Sequence, residues 1–223
     1  MVYVFDERAG EKSFTIKGEL HKYLIKVRRH QEDDELNFRN KENIERLYTY
    51  KLVSIEPRSA TLELIDEKLL EVKPEKELHI AWCVIDAKSV EKVLPSLCEI
   101  GVSHISFIFC ERSQKNFKID FKRYERIVEA SMQQSGRSSF MAFDTYKNIE
   151  SFISKYPDTK VFDFCENILT QESDFARVLI GCEGGFSPKE KEFLQKQEVF
   201  RLQTPMVLRS ESAVMAVASK ILL

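Results

Sequence analysis

The stretch from Arg177 to Ser187 carries the residue types best suited to hold a ligand. Arg177-Val178-Leu179-Ile180 is a short apolar run that leads straight into Gly181-Cys182-Glu183-Gly184-Gly185-Phe186. Glycines at this spacing let the backbone turn tightly and bring its N–H groups against a ligand, because no side chain intervenes. A complete helix start follows. Ser187 can cap the first turn, Pro188 suits the first helical position, and Glu190 can reach back to the cap from three residues on. The glycine spacing is not the dinucleotide fingerprint, and no Lys-Ser/Thr follows to make a Walker phosphate loop. From these residues alone two readings stay open, a ligand-binding loop and an ordinary strand-to-helix turn.

Charge is the second pointer. The 34 basic and 36 acidic residues leave a net charge of -2 over 223 residues, so nothing global announces nucleic acid. Locally the balance shifts. Lys17, Lys22, Lys26, Arg28 and Arg29 face a single acid, Glu19, between Lys17 and Arg29. Between Glu111 and Arg137, Arg112, Lys115, Lys118, Lys122, Arg123, Arg126 and Arg137 outnumber four acids. Two such stretches either converge on a phosphate-binding surface or are solvated helix faces. The five cysteines, Cys83, Cys98, Cys110, Cys165 and Cys182, form no Cys-x-x-Cys pair, and four sit in apolar surroundings. With only four histidines at no ligand-like spacing, they read as buried thiols of a reducing compartment, and no metal site is expected. No apolar run approaches the ~20 residues of a membrane span. The opening Met1-Val2-Tyr3-Val4-Phe5-Asp6 has no basic region followed by an apolar core, so the expectation is a cytoplasmic protein without a membrane partner.

The elements around these residues fall into two groups. Up to residue 72, short candidate strands (Val2 to Phe5, Ser13 to Ile16, Glu35 to Arg39, Leu47 to Ile55, Ala60 to Ile65) predict a small β-barrel. One helix, Glu19 to Val27, interrupts them and places Leu20, Tyr23, Leu24 and Val27 on one face. The charged stretch Glu67 to Glu77 reads as a linker. Over 73–223, strands at His79 to Ile85, Ile105 to Cys110, Lys160 to Phe164 and Arg177 to Ile180 alternate with helices at Lys88 to Ile100, Phe121 to Gln134, Ile149 to Lys155 and Pro188 to Gln195. That alternation predicts a mostly parallel sheet with its ligand site beyond the carboxyl ends of the strands. The last helix, from Ala213 to Leu223, is apolar on nearly every side, so it belongs in a core or a subunit interface.

Several blocks together resemble one family, the SPOUT-class 16S ribosomal RNA uridine N3-methyltransferases, known as RsmE. Ile180 to Ser187 looks like the family's Ile-Gly-Pro-Glu-Gly-Gly-Phe-Ser, and Val207-Leu208-Arg209-Ser210-Glu211-Ser212-Ala213 looks like its Ile-Leu-Arg-Thr-Glu-Thr-Ala. Gln134-Ser135-Gly136-Arg137, Glu99-Ile100-Gly101-Val102 and Glu111-Arg112-Ser113 match further blocks, with His21 and Val27-Arg28 a weaker match near the start. Cys182 stands in place of the usual proline, Thr204 in place of a common glycine, and Met206 in place of a common basic residue. Of the paired N-terminal arginines of many members, Arg8 is the nearby candidate.

The resemblance implies an α/β fold with a SPOUT-type trefoil-knotted, mostly parallel sheet over 73–223 and an N-terminal PUA-like or OB-like β-barrel over 1–72 that binds RNA. It implies a homodimer, formed through the knot and the C-terminal helix, that uses S-adenosylmethionine and no metal. The cofactor would lie among Phe164, Gly181, Glu183, Gly184, Gly185, Met206, Leu208 and Arg209. The reaction implied is methylation of N3 of a uridine in 16S rRNA, in the decoding region of the 30S subunit. Losing the N3 proton leaves negative charge on the flanking carbonyls, and Arg209, then Arg137 and Arg112, are the residues to stabilise it. Glu211 would orient Arg209 or accept the proton, Glu183 would fix the loop, and Lys22, Lys26, Arg28, Arg29, Arg123 and Arg126 would contact phosphates. Two alternatives remain: a non-catalytic RNA-binding or ribosome-assembly protein on the same fold, and a knotted methyltransferase with another RNA target.

Overall fold

A computed structural model describes residues 2–114, 118–170 and 175–223. It divides into two compact units, the first reaching residue 73 and taking in 132–139, the second comprising 74–131 and 140–223. Lys115, counted above in the second basic stretch, lies outside the described residues.

The first unit is a five-stranded half-barrel, in the order β1 (Val4–Phe5), β3 (Glu35–Asn40), β4 (Asn43–Ile55), β5 (Ser59–Leu69), β2 (Ser13–Lys17). Only β1 runs parallel to its neighbour. Alternate residues point inward, as the two-residue period of a strand requires. Phe14 and Ile16, Leu36 and Phe38, Tyr50 and Leu52, and Ala60 and Leu62 fill the core. Phe14, Phe38 and Tyr50 meet edge to face with centroids 4.8 to 5.5 Å apart.

Two expectations here need correcting. The helix begins as α1 (Gly18–His21) but widens into a π-type turn over Lys22–Val27, in which Arg28 N–H bonds to the Tyr23 carbonyl, five residues back. The wider turn rotates Val27 off the apolar face and leaves it 63% exposed, while Leu24 stays fully buried. The presumed linker also starts too early: Asp66, Glu67, Lys68 and Leu69 extend β5 alongside Arg46 to Thr49 of β4. On β5 these residues are exposed and mostly charged, with Arg46 paired to Glu67 at 3.2 Å, while the apolar side of the ladder comes from Leu47 and Tyr48 of β4, which are buried.

The second unit is built on a six-stranded parallel sheet, in the order β11 (Val199–Phe200), β9 (Lys160–Phe162), β10 (Arg177–Ile180), β6 (His79–Cys83), β7 (His104–Ile108), β8 (Ala142–Tyr146). Every residue of β6 is buried, as suits a strand covered on both faces. The helices are α2 (Ala87–Ile100), α3 (Phe121–Ser135), α4 (Ile149–Lys155), α5 (Pro188–Leu194) and α6 (Ser210–Leu222). Asp86 caps α2 by accepting from Ser89 N–H, and Gly101 ends it at φ 109°, where a Cβ would come within 2.8 Å of Pro74. Strands β8 and β11 are additions to the sequence reading. The first is an edge strand with no buried residue, and the second has two residues. On α6, Ala213, Val214, Val217, Ala218 and Ile221 are buried, but Met215, Ala216 and Ser219 remain half-exposed in the single chain.

At the amino end of the sheet His79 and His104 stack at 3.9 Å. His79 Nε2 lies 2.7 Å from Ser106 Oγ, and Ser106 donates to Asp144. The serine hydroxyl knits these groups into one hydrogen-bonded network.

Candidate active site

The glycine loop leaves β10 at Ile180 and closes a tight turn, Gly185 N–H donating to the Cys182 carbonyl at 2.9 Å. Gly185 takes φ 64°, a conformation open to glycine at little strain. Three tethers from distant parts of the chain hold this loop. Arg112 lays its stem against Gly184, where a Cβ would sit 3.4 Å from its own Cβ and Cδ, and its Nη1 donates to the Gly184 carbonyl at 2.6 Å. Glu190 closes the capping box with Ser187 and, with its other oxygen, accepts from Glu111 N–H at 2.8 Å. Finally, the fully buried Trp82 donates from Nε1 to Ser210 Oγ at 2.8 Å, and Ser210 donates to the Gly181 carbonyl at 2.6 Å. The last pair of bonds links the central strand, the start of α6 and the first glycine.

Above the loop is a cavity of about 480 Å³, walled by the ends of β9 and β10, the glycine loop and the segment before α6. Arg112, Phe164, Gly181, Glu183, Gly184, Gly185, Met206 and Leu208, all expected at the site, line it. Its walls also include residues not anticipated: Asp163, paired with Lys191 at 2.8 Å, and Arg201, Leu202, Thr204 and Pro205. Phe164 and Met206 are 74% and 69% exposed, apolar surface waiting on the rim.

Arg209 and Glu211 stand just past this lining. Arg209 is the cap residue of α6, exposed, and forms no ion pair among the described residues, neither with Glu211 nor with Glu183. Glu211 Oε2 is buried without a hydrogen-bond partner among the described residues. Arg137 belongs to the first unit, where it is buried, donates from Nε to the Ser139 carbonyl at 2.7 Å and accepts from Tyr3 OH on its own carbonyl. Both of these contacts are made within the first unit.

The RNA-contact candidates are exposed. Arg28 bonds Tyr23 OH at 3.0 Å, Lys22 pairs loosely with Glu19 at 3.8 Å, and Arg29 sits at φ 62°. Arg123 is already forked onto Glu91 at 2.5 and 2.7 Å, and Arg126 donates to the Lys122 carbonyl.

A parallel sheet whose carboxyl-end loops wall a glycine-floored cavity defines an α/β domain built to bind a small ligand. An RNA methyltransferase domain model matches residues 72–222. Ribosomal RNA small subunit methyltransferase E of Helicobacter pylori is 38% identical over 98% of both chains, and that of Aquifex aeolicus is 28% identical over 98% of this chain and 97% of its own. The chain belongs to this methyltransferase family. A crystal structure of ribosomal RNA small subunit methyltransferase E from Neisseria gonorrhoeae bound to S-adenosyl methionine has the same fold, with a TM-score of 0.77 at 17% identity over 98% of this chain and 95% of the other.

Proposed function

We propose that this chain transfers a methyl group from S-adenosylmethionine to N3 of a uridine in 16S rRNA of the small ribosomal subunit. The observation that carries this reading is the cavity itself: a glycine loop anchored at three points faces apolar walls, in a chain that matches a small-subunit rRNA methyltransferase along nearly its whole length. The cavity volume and the donor set fit the cofactor, since Ile180, Leu208 and Phe164 offer apolar surface to a planar base and the loop backbone offers polar groups. When bound, S-adenosylmethionine supplies an electrophilic methyl on a sulfonium.

The chain's own residues do the rest. Gly181 to Gly185 and Leu208 would hold the cofactor, and for this transfer alignment counts for more than acid–base power. Arg209, which forms no ion pair among the described residues, stabilises the charge that develops on the uracil carbonyls. Glu211, with its unpartnered buried oxygen, accepts the N3 proton. Because N3 lies on the Watson–Crick edge, the target base must be unpaired or flipped out, and the half-barrel unit, with Lys22, Lys26, Arg28 and Arg29, holds the RNA by its phosphates. The same reading makes the α/β unit knotted, the working form a cytoplasmic homodimer covering the half-exposed side of α6, and the substrate an RNA of the 30S particle.

The test uses 30S subunits from a strain lacking the gene, incubated with the purified chain and labelled S-adenosylmethionine, followed by mass spectrometry of the nucleosides. Label in 3-methyluridine is the expected result. Label in another nucleoside would move the substrate. Cofactor binding without label, or neither, would overturn the reading.

A further inference from the structure

Strands β10, β6 and β7 lie side by side, and each brings a cysteine to its carboxyl end: Cys182, Cys83 and Cys110. Residues scattered along the chain thus meet under the glycine loop. Cys110 Sγ and Cys182 Sγ are 3.6 Å apart, and Ser113 Oγ lies 3.0 Å from Cys110 Sγ. Cys182 lines the cavity while Cys110 lies buried behind it.

We propose that Cys110 and Cys182 form a peroxide-oxidised thiol pair that closes as a disulfide beneath the loop, and that a ligand filling the cavity shields it. The effect on methyl transfer rests on the cavity being the cofactor site, as proposed above. Both cysteines follow their strands in loop positions, so the sulfurs can approach from 3.6 Å to the ~2 Å of a bond with a shift of roughly 1.5 Å. Hydrogen bonding with the Cys182 thiol first, then with the Cys83 thiol and the Ser113 hydroxyl, lowers Cys110 from the ordinary thiol range and favours it as the thiolate of this close pair.

The Cys110 thiolate attacks one oxygen of hydrogen peroxide, the O–O bond breaks, and the departing hydroxide takes from solvent the proton that Cys110 gave up on ionising, leaving as water. The Cys182 thiol then attacks the sulfenic sulfur. An S–S bond forms, the sulfenic hydroxyl leaves with the Cys182 proton as a second water, and two electrons have passed from sulfur to peroxide. The bond pulls on Cys182, whose carbonyl closes the Gly185 turn. A displacement of about 1 Å in such a loop lowers kcat/KM by about 100-fold.

The experiment treats the full chain with hydrogen peroxide, with and without saturating S-adenosylmethionine, blocks remaining thiols and maps peptides without reduction. Cofactor affinity of reduced and oxidised protein is measured by calorimetry in parallel. Expected is a Cys110–Cys182 peptide, reversed by dithiothreitol and suppressed by the cofactor, with weakened cofactor binding in the oxidised form. Cys110→Ser, or Cys110→Ala should the hydroxyl fold poorly, should keep methyl transfer and lose its sensitivity to peroxide. A link from Cys83, oxidation confined to Cys165, or unchanged affinity after linkage would each overturn the proposal. Should the reduced chain bind no S-adenosylmethionine, the proposed function fails instead, and the peptide map still decides the thiol pair.

Discussion

Replacing Ser210 by alanine tests how the glycine loop is held. Ser210 is 5% exposed and makes two bonds through one hydroxyl, accepting from Trp82 Nε1 at 2.8 Å and donating to the Gly181 carbonyl at 2.6 Å. Ser210→Ala leaves both partners, but unequally. The Gly181 carbonyl borders the cavity and can take a water, whereas the Trp82 indole N–H is fully buried. An orphaned buried donor costs about 1–3 kcal/mol, so the loss should be about 2 kcal/mol in urea unfolding at constant slope. Ser210→Thr keeps the hydroxyl and should stay near the parent. Trp82→Phe removes the donor, so the double variant should be less destabilised than the sum of the singles, with a coupling of about 1 kcal/mol. Calorimetry should show weaker S-adenosylmethionine binding for Ser210→Ala, because the first glycine has lost its anchor. A change below about 0.5 kcal/mol, or an additive cycle, would refute the idea that this pair of bonds holds the loop.

Burial, with the neighbouring His104, pushes the His79 imidazole down to about 4; Arg177 and Lys155 act the same way, and Asp144 opposes them. A lowered folded-state value keeps stability intact above the unfolded value near 6.5 and removes about 3 kcal/mol as pH falls from there towards 4, a slope that His79→Gln should flatten in urea titrations at pH 7 and pH 5. Arg209→Ala should lower the methyl-transfer rate by about 10²–10³ while calorimetric cofactor affinity changes little; a large loss of affinity at full rate would place Arg209 on the cofactor instead. Substituting Lys22, Lys26, Arg28 and Arg29 together by alanine should flatten the salt dependence of RNA binding by up to about 3 logarithmic units per decade of salt, at roughly 0.7–0.9 per phosphate contact. An unchanged salt slope would remove this face from the RNA surface.

Local chemistry made some of this visible in the sequence. Ser187, Pro188 and Glu190 announce the start of α5 because a capping box needs only residues three apart, and Gly101 announces the end of α2 for a similar reason. What escaped was set by neighbours. Val27 left the apolar face because one π-type turn changed the helical period, and β5 ran on through exposed charged residues because its partner β4 supplies the buried Leu47 and Tyr48. Edge strand β8 escaped for a related reason, since Asp144 and Thr145 break the apolar run expected of a sheet buried on both faces.

The candidate site divides along the same line. The glycines mark where the loop turns, but a run of glycines is also the least ordered backbone the chain can make, and ordering it loses the most conformational entropy. A cofactor site needs that loop ordered before the ligand arrives. The order comes from side chains on other elements: Arg112 reaches Gly184 across 72 positions, and Trp82 reaches Ser210 across 128. Glu190, just past the glycines in the chain, ties the loop's helix to Glu111, 79 positions away. Arg112 was expected for its charge, and the structure adds that its stem lies against Gly184 while its guanidinium holds the Gly184 carbonyl. The permissive half of a binding loop is therefore readable from its own residues, while the restraining half appears only when β6, β7 and β10 stand side by side.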